Sequence, residues 1–255
     1  MNKLSQEQLQ EMVHLQVELN KVMWKDTNVS EIKPHVAVIV ELIEMLNHAG
    51  WEWWKNPNKK YDPTKALNDT TFVALNQARM EFVDVIHFII SQMQIHTEVG
   101  ASELERSVLT QFGVFMDRIH ATVKEQDKVL DIMGEMERDI FINCVMSLIS
   151  FFTRNPNYIS DHYSIACFAY IIRYLKMEEL VYPMYIGKNA LNHFRQSMGE
   201  KTANCTYTRI WSDGREDNEH LMEIIIAAKS VDTSSLDLLE YYLDQLSQQY
   251  SKYRV

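Results

Sequence analysis

The chain has 255 residues, 46% of them hydrophobic, and a formal charge of −10. That length allows one large domain with a substantial core, and the acidic balance excludes a binder that holds polyphosphate backbones by simple charge attraction, since such proteins carry a basic face. Seven glycines and five prolines are too few punctuators for the tight turns of a sandwich or barrel, so composition alone favours helices.

The opening "MNKLSQEQLQEM" lacks the apolar centre of a signal peptide. Ser5 followed by Gln8 predicts a capping box, and Leu9, Met12, Leu15, Leu19 and Met23 carry a first helix to about Trp24, with Gln16 and Asn20 interrupting its apolar face. Pro34 and Gly50 supply start and stop signals for a second helix, "PHVAVIVELIEMLNHAG". After the loop "NPNKKYDPTKALND", a third helix runs from about Thr71 through "FVALNQARMEFVDVIHFIISQMQIH", with a break near Gly100. From Glu103 to Met177 the pattern stays helical around the turn "TRNPN". "YIGKNALNHFRQSMG" reads as a short helix, "EKTANCTYTRIWSDGREDN" as an irregular polar loop, and "SSLDLLEYYLDQLSQQY" as a closing amphipathic helix. No run reaches the roughly 18 apolar residues of a membrane span. Cys144, Cys167 and Cys205 are widely spaced with no CxxC pair, which points to a reducing cytosol rather than a disulfide scaffold or a thiolate zinc site.

Chemistry concentrates in three places. At about 100° per residue, Ala37, Glu41, Glu44 and His48 share one narrow strip of the second helix, and apolar residues cover most of the rest. A solvated helix gives about half its circumference to polar groups, so the two glutamates are expected to look into a polar cavity, where their repulsion needs a cation. The third helix repeats the arrangement with Glu81 and Asp84, flanked by Gln77 and Phe88. One such pair reads as an ordinary charged helix edge; two pairs on mostly apolar helices make a four-carboxylate cluster, an all-oxygen donor set of the kind Mg²⁺ prefers. His48 and His87 read as hydrogen-bonded pocket residues and Trp51, Trp53 and Trp54 as core anchors. Further on, Lys188, Asn192 and Arg195 at i, i+4, i+7 present two cations and an amide suited to phosphate oxygens, with Lys201, Tyr207 and Arg209 in the next loop.

Taken in order, "LQVELN", "ELIE", "WEWWK", "EFVDVIHF", "GKNALNHFR" and "YTRIWSDGREDN" resemble the dimeric, all-α dUTPase family, related to the wider group of all-α nucleoside triphosphate pyrophosphatases. The resemblance implies an all-α multi-helix bundle, one domain over residues 1–255 with a variable helical region at about 100–180. It also implies a cytoplasmic homodimer that hydrolyses dUTP to dUMP and pyrophosphate with Mg²⁺ and a metal-activated water. Glu41, Glu44, Glu81 and Asp84 would then be the metal ligands, one of the first two also orienting the attacking water. Lys188, Arg195, Lys201 and Tyr207 would grip phosphates, and Lys55 would also touch substrate. Gln16, Asn20, His87, Phe88, Asn192 and Asn218 would shape the nucleoside pocket, with Phe88 packing on the base. Two positions depart from the family pattern: Glu52 stands where the tryptophan motif usually carries lysine, and Glu200 where an aromatic commonly precedes Lys201. Two other readings stay open, a related pyrophosphatase preferring dCTP or other nucleotides and a catalytically silent helical scaffold.

Overall fold

The computed structural model describes residues 3–25, 27–28, 32–49, 71–133, 138–155, 161–199, 207–228 and 237–253. Trp51, Trp53, Trp54, Lys55 and Lys201 lie outside the described residues, as do Gly50, Glu52 and Glu200. Among the described residues there are nine helices and no strand, so the fold is all-α as composition and patterning predict. No helix among them is long and apolar enough to cross a membrane. The chain divides into two compact units, Met1–Leu180 and Val181–Val255.

The first unit holds α1 (Gln6–Met23), α2 (Pro34–His48), α3 (Thr71–His96), α4 (Ala101–Met133), α5 (Arg138–Arg154) and α6 (His162–Tyr174). The expected capping box is present: Gln8 N donates to Ser5 Oγ at 3.1 Å and Ser5 N to Gln8 Oε1 at 2.9 Å, which satisfies two N–H groups that a helix start otherwise leaves orphaned. Helix α2 begins on Pro34, whose missing N–H costs nothing in the first turn. Helix α3 packs against α1, α2 and α4 and is buried on nearly all sides from Leu75 to Met93. Its interior polar groups must therefore be bonded within the fold: Arg79 Nε donates to Leu175 O at 2.7 Å and Arg79 Nη1 to Asn76 Oδ1 at 3.1 Å. Phe82, Phe115 and Phe168 tie α3, α4 and α6 together, with ring centroids 6.2 Å (Phe82–Phe168) and 5.3 Å (Phe115–Phe168) apart. Each such ring, fully buried, contributes about 1.5–3 kcal/mol of transfer free energy. The apolar residues of α2 do not all turn inward: Val38, Leu42, Met45 and Leu46 are buried, whereas Val36, Val40 and Ile43, at i, i+4, i+7, form an exposed stripe.

The second unit holds α7 (Val181–Ser197), α8 (Asp217–Ala228) and α9 (Leu238–Tyr253). Helix α7 starts four residues before the Tyr185 predicted from sequence, because Pro183 falls in its first turn, where proline is tolerated. Gly187 lets α7 approach α8 closely; a Cβ there would sit 2.9 Å from Ile225 Cδ1. The segment read as an irregular loop up to Asn218 instead gives way to α8 at Asp217, where Asp217 and Glu219 put negative charge on the helix N-terminus. Before it the chain makes a tight reversal with an isolated bridge between Ile210 and Glu216 and Gly214 at φ +80°, a conformation that favours glycine. Phe194, Tyr207, Trp211 and Tyr250 pack edge to face around this reversal.

Candidate functional site

In the first unit, α2 and α3 pack side by side and bring their acidic strips together. Carboxylate oxygens of Glu41, Glu44 and Glu81 all lie within 4.8 Å of one another. Glu81 is buried, Glu41 half-buried and Glu44 exposed, so the cluster grades from interior to solvent rather than closing into a cavity. Burial pushes the Glu41 carboxyl up to about 9, reinforced by the charges of Asp84 and Glu81, by a hydrogen bond to Glu81 and by the charge of Glu44. Two histidines edge the group: His48 Nε2 lies 3.3 Å from Glu81 Oε1, and His87 Nδ1 lies 3.7 Å from Asp84 Oδ1. Without a cation, burial and the neighbouring carboxylates both favour the protonated form of Glu41. The donor set fits a hard divalent cation: the three converging donors are all oxygens, they come from two helices, and the exposed side leaves room for water ligands.

A polar network lies along the α1–α3 contact. Gln16 Nε2 donates to Asn20 Oδ1 at 2.9 Å and to Ser91 Oγ at 3.1 Å; Asn20 Nδ2 donates to Ser91 Oγ at 2.9 Å and to Gln94 Oε1 at 2.8 Å. Ser91 Oγ in turn donates to the His87 carbonyl at 3.0 Å. Gln16, Asn20, His87 and Ser91 are buried, and Phe88 is half-buried one residue beyond His87. Carboxamides carry a donor and an acceptor on one side chain, which is what reading a base edge requires. Sequence reasoning selected Gln16, Asn20, His87 and Phe88 but missed Ser91 and Gln94. The signal was available, because Asp84, His87, Ser91 and Gln94 continue the acidic strip of α3 at steps of three, four and three residues.

In the second unit, Lys188 and Arg195 share a face of α7 and are both buried, while Asn192 is half-buried between them. Lys188 Nζ donates to Asn218 Oδ1 at 3.2 Å. Arg195 makes a side-on fork with Asp217: Nε donates to Oδ2 at 2.8 Å and Nη2 to Oδ1 at 2.6 Å. The Tyr207 hydroxyl donates to Asp217 Oδ2 at 2.5 Å. Burial, and then the charge and hydrogen bond of Asp217, raise the Tyr207 pKa, which keeps the phenol a donor. Asp217 is the hub of this group and was not selected from sequence, although its neighbour Asn218 was.

A family model described as dUTPase matches residues 8–199. The matched stretch runs from α1 through α7 and includes the acidic cluster, the polar network, Lys188 and Arg195, and it ends before Tyr207, Asp217 and Asn218. No curated protein matches the chain.

Proposed function

The chain belongs to the all-helical dUTPase family and is a nucleoside triphosphate pyrophosphohydrolase, and on that premise we propose a magnesium-dependent enzyme that hydrolyses dUTP to dUMP and pyrophosphate. The observation that carries the proposal is the convergence of Glu41, Glu44 and Glu81 oxygens within 4.8 Å beside Asp84, where burial first and the neighbouring charges second raise the Glu41 pKa. These four carboxylates would hold Mg²⁺, which when bound neutralises phosphate charge and lowers the pKa of a water ligand. One of the α2 glutamates, Glu41 or Glu44, orients the attacking water by accepting its hydrogen bond.

In the first unit Gln16, Asn20, His87 and Phe88 are the proposed nucleoside contacts, and in the second unit Asn192 and Asn218 are. Lys188 and Arg195 hold phosphate oxygens and stabilise charge developing there; Tyr207, whose hydroxyl donates to Asp217, belongs to the Arg195 cluster, and Lys55 and Lys201, outside the described residues, are further substrate contacts. No covalent intermediate is needed, because a positioned water is the nucleophile. The enzyme is a cytoplasmic homodimer in this reading, and the free thiols of Cys144 and Cys167 suit a reducing compartment. Pyrophosphate release is the test: the protein should turn over dUTP with Mg²⁺, stop in EDTA, and prefer dUTP in a panel that includes dCTP. Turnover that persists in EDTA would remove the metal from the mechanism, and preference for dCTP would change the substrate while leaving the reaction class intact.

A further inference from the structure

We propose that Asp217 is a positioning residue, aiming the Arg195 guanidinium at the phosphate chain while Tyr207 buttresses it; the inference rests on the reading that Arg195 binds phosphate. Asp217 lies outside the matched residues 8–199, yet it is 1% exposed and accepts three hydrogen bonds, two from Arg195 and one from Tyr207. Its backbone is fixed as well: Asp217 N donates to Arg209 O at 2.8 Å, and the residue opens α8. The carboxylate is thus held from the main chain before it meets Arg195.

The geometry of the pair supplies the function. Guanidinium is a rigid plane with two forks, one made by Nε and Nη2 and the other by Nη1 and Nη2. Asp217 occupies the first, with both distances under 3 Å, so the direction of the second follows from where Asp217 sits. That second fork matches two phosphate oxygens at once. Tyr207 has a single hydroxyl proton and gives it to Asp217 Oδ2, the oxygen that also takes Arg195 Nε, so it stops the carboxylate from rotating. A buried carboxylate needs such donors, but a role limited to charge balance does not need this orientation. The two roles predict different behaviour when the charge is kept and the orientation changed.

The experiment measures kcat and KM for dUTP, with Mg²⁺ present, in the full-length protein and in Arg195→Ala, Asp217→Asn, the double variant and Asp217→Glu, each checked by thermal melting. Asp217→Asn and Arg195→Ala should each lower kcat/KM by about tenfold to a hundredfold, as a misplacement on the ångström scale does. The double variant should be no worse than Arg195→Ala, since Asp217 acts only through that side chain. Asp217→Glu keeps the charge and displaces the carboxylate by one methylene; it should melt close to the wild type and still lose about tenfold. Wild-type kcat/KM in Asp217→Glu, or full additivity in the double variant, overturns the proposal, and the Glu variant decides it if Asp217→Asn fails to fold. An impaired Arg195→Ala beside normal Asp217 variants sinks this inference alone. Normal turnover in Arg195→Ala removes phosphate from Arg195 and takes the inference with it.

Discussion

Glu41 concentrates the electrostatic cost of the acidic cluster, and the cost has a sign that can be measured. In the unfolded chain its carboxyl titrates near 4.5; in the folded, metal-free protein burial and its acidic neighbours push it to about 9. Between these values the native state binds the extra proton, so Glu41 contributes stability that is full below about pH 4.5 and lost as pH rises through about 9. The melting temperature of the EDTA-treated protein should therefore carry a downward component between about pH 5 and pH 9, and Glu41→Gln should flatten the curve over that window. An unchanged pH profile in Glu41→Gln would show that the carboxyl titrates normally. Glu44→Gln and Asp84→Asn should each abolish turnover while leaving the protein folded, because each removes one charge from a repelling group at nearly constant shape; unchanged turnover in either at saturating Mg²⁺ would count against the metal assignment. The residue types of this cluster were legible because i, i+3 spacing reports which groups share a helix face. The Arg195–Asp217 fork was not legible, since a contact across 22 residues and two helices leaves no trace in local periodicity.

At the scale of elements, two glycines inside helices make opposite predictions from the same substitution. Gly113 lies within α4, and a Cβ there would meet only Leu9 Cδ1 at 4.0 Å, so alanine fits. Gly113→Ala should raise stability by about 0.5–1 kcal/mol through the better helix propensity of alanine. Gly187 lies at the α7–α8 contact, where a Cβ would come within 2.9 Å of Ile225 Cδ1 and 3.2 Å of both Ile225 Cγ1 and Leu221 Cδ1. The overpacking cost, about 1–3 kcal/mol, should outweigh the propensity gain there and lower stability. Chemical denaturation of both variants checks the pair; stabilisation by Gly187→Ala would mean that the α8 side chains yield freely. Helix boundaries followed the same division between local and distant causes. Ser5, Gln8 and Pro34 announced α1 and α2 because caps act within one turn. The start of α8 was missed because Trp-Ser-Asp-Gly-Arg-Glu looks like loop throughout, and the helix begins only where Asp217 N reaches back to Arg209 O. The exposed stripe of Val36, Val40 and Ile43 was hidden for a related reason: a helix apolar on most sides does not say which side a neighbour will cover.

For the whole molecule, a charge of −10 and a buried-to-exposed acidic cluster set the conditions under which an anionic nucleotide can bind. A bare triphosphate brought to Glu41, Glu44, Glu81 and Asp84 meets like charge; the same triphosphate with Mg²⁺ meets a neutralised site, because a divalent cation inverts the local charge logic. The cation alone gains only the carboxylates and must displace the proton that Glu41 holds up to about pH 9. Nucleotide and metal should therefore stabilise the fold together far more than either does separately. Binding to the native state adds RT ln(1 + [L]/Kd), which is about 2.7 kcal/mol at a hundredfold excess over Kd. For a chain of this size that corresponds to a rise in melting temperature of roughly 5–10 °C. Thermal melts at pH 7.5 with a non-hydrolysable dUTP analogue, with Mg²⁺, with both and with the analogue in EDTA read this directly. Only the combination should reach the full shift, and Asp84→Asn should reduce it without changing the melt of the ligand-free protein by a comparable amount. An analogue that shifts the melt equally in EDTA would place its phosphates away from the acidic cluster and leave those four carboxylates without a part in substrate binding.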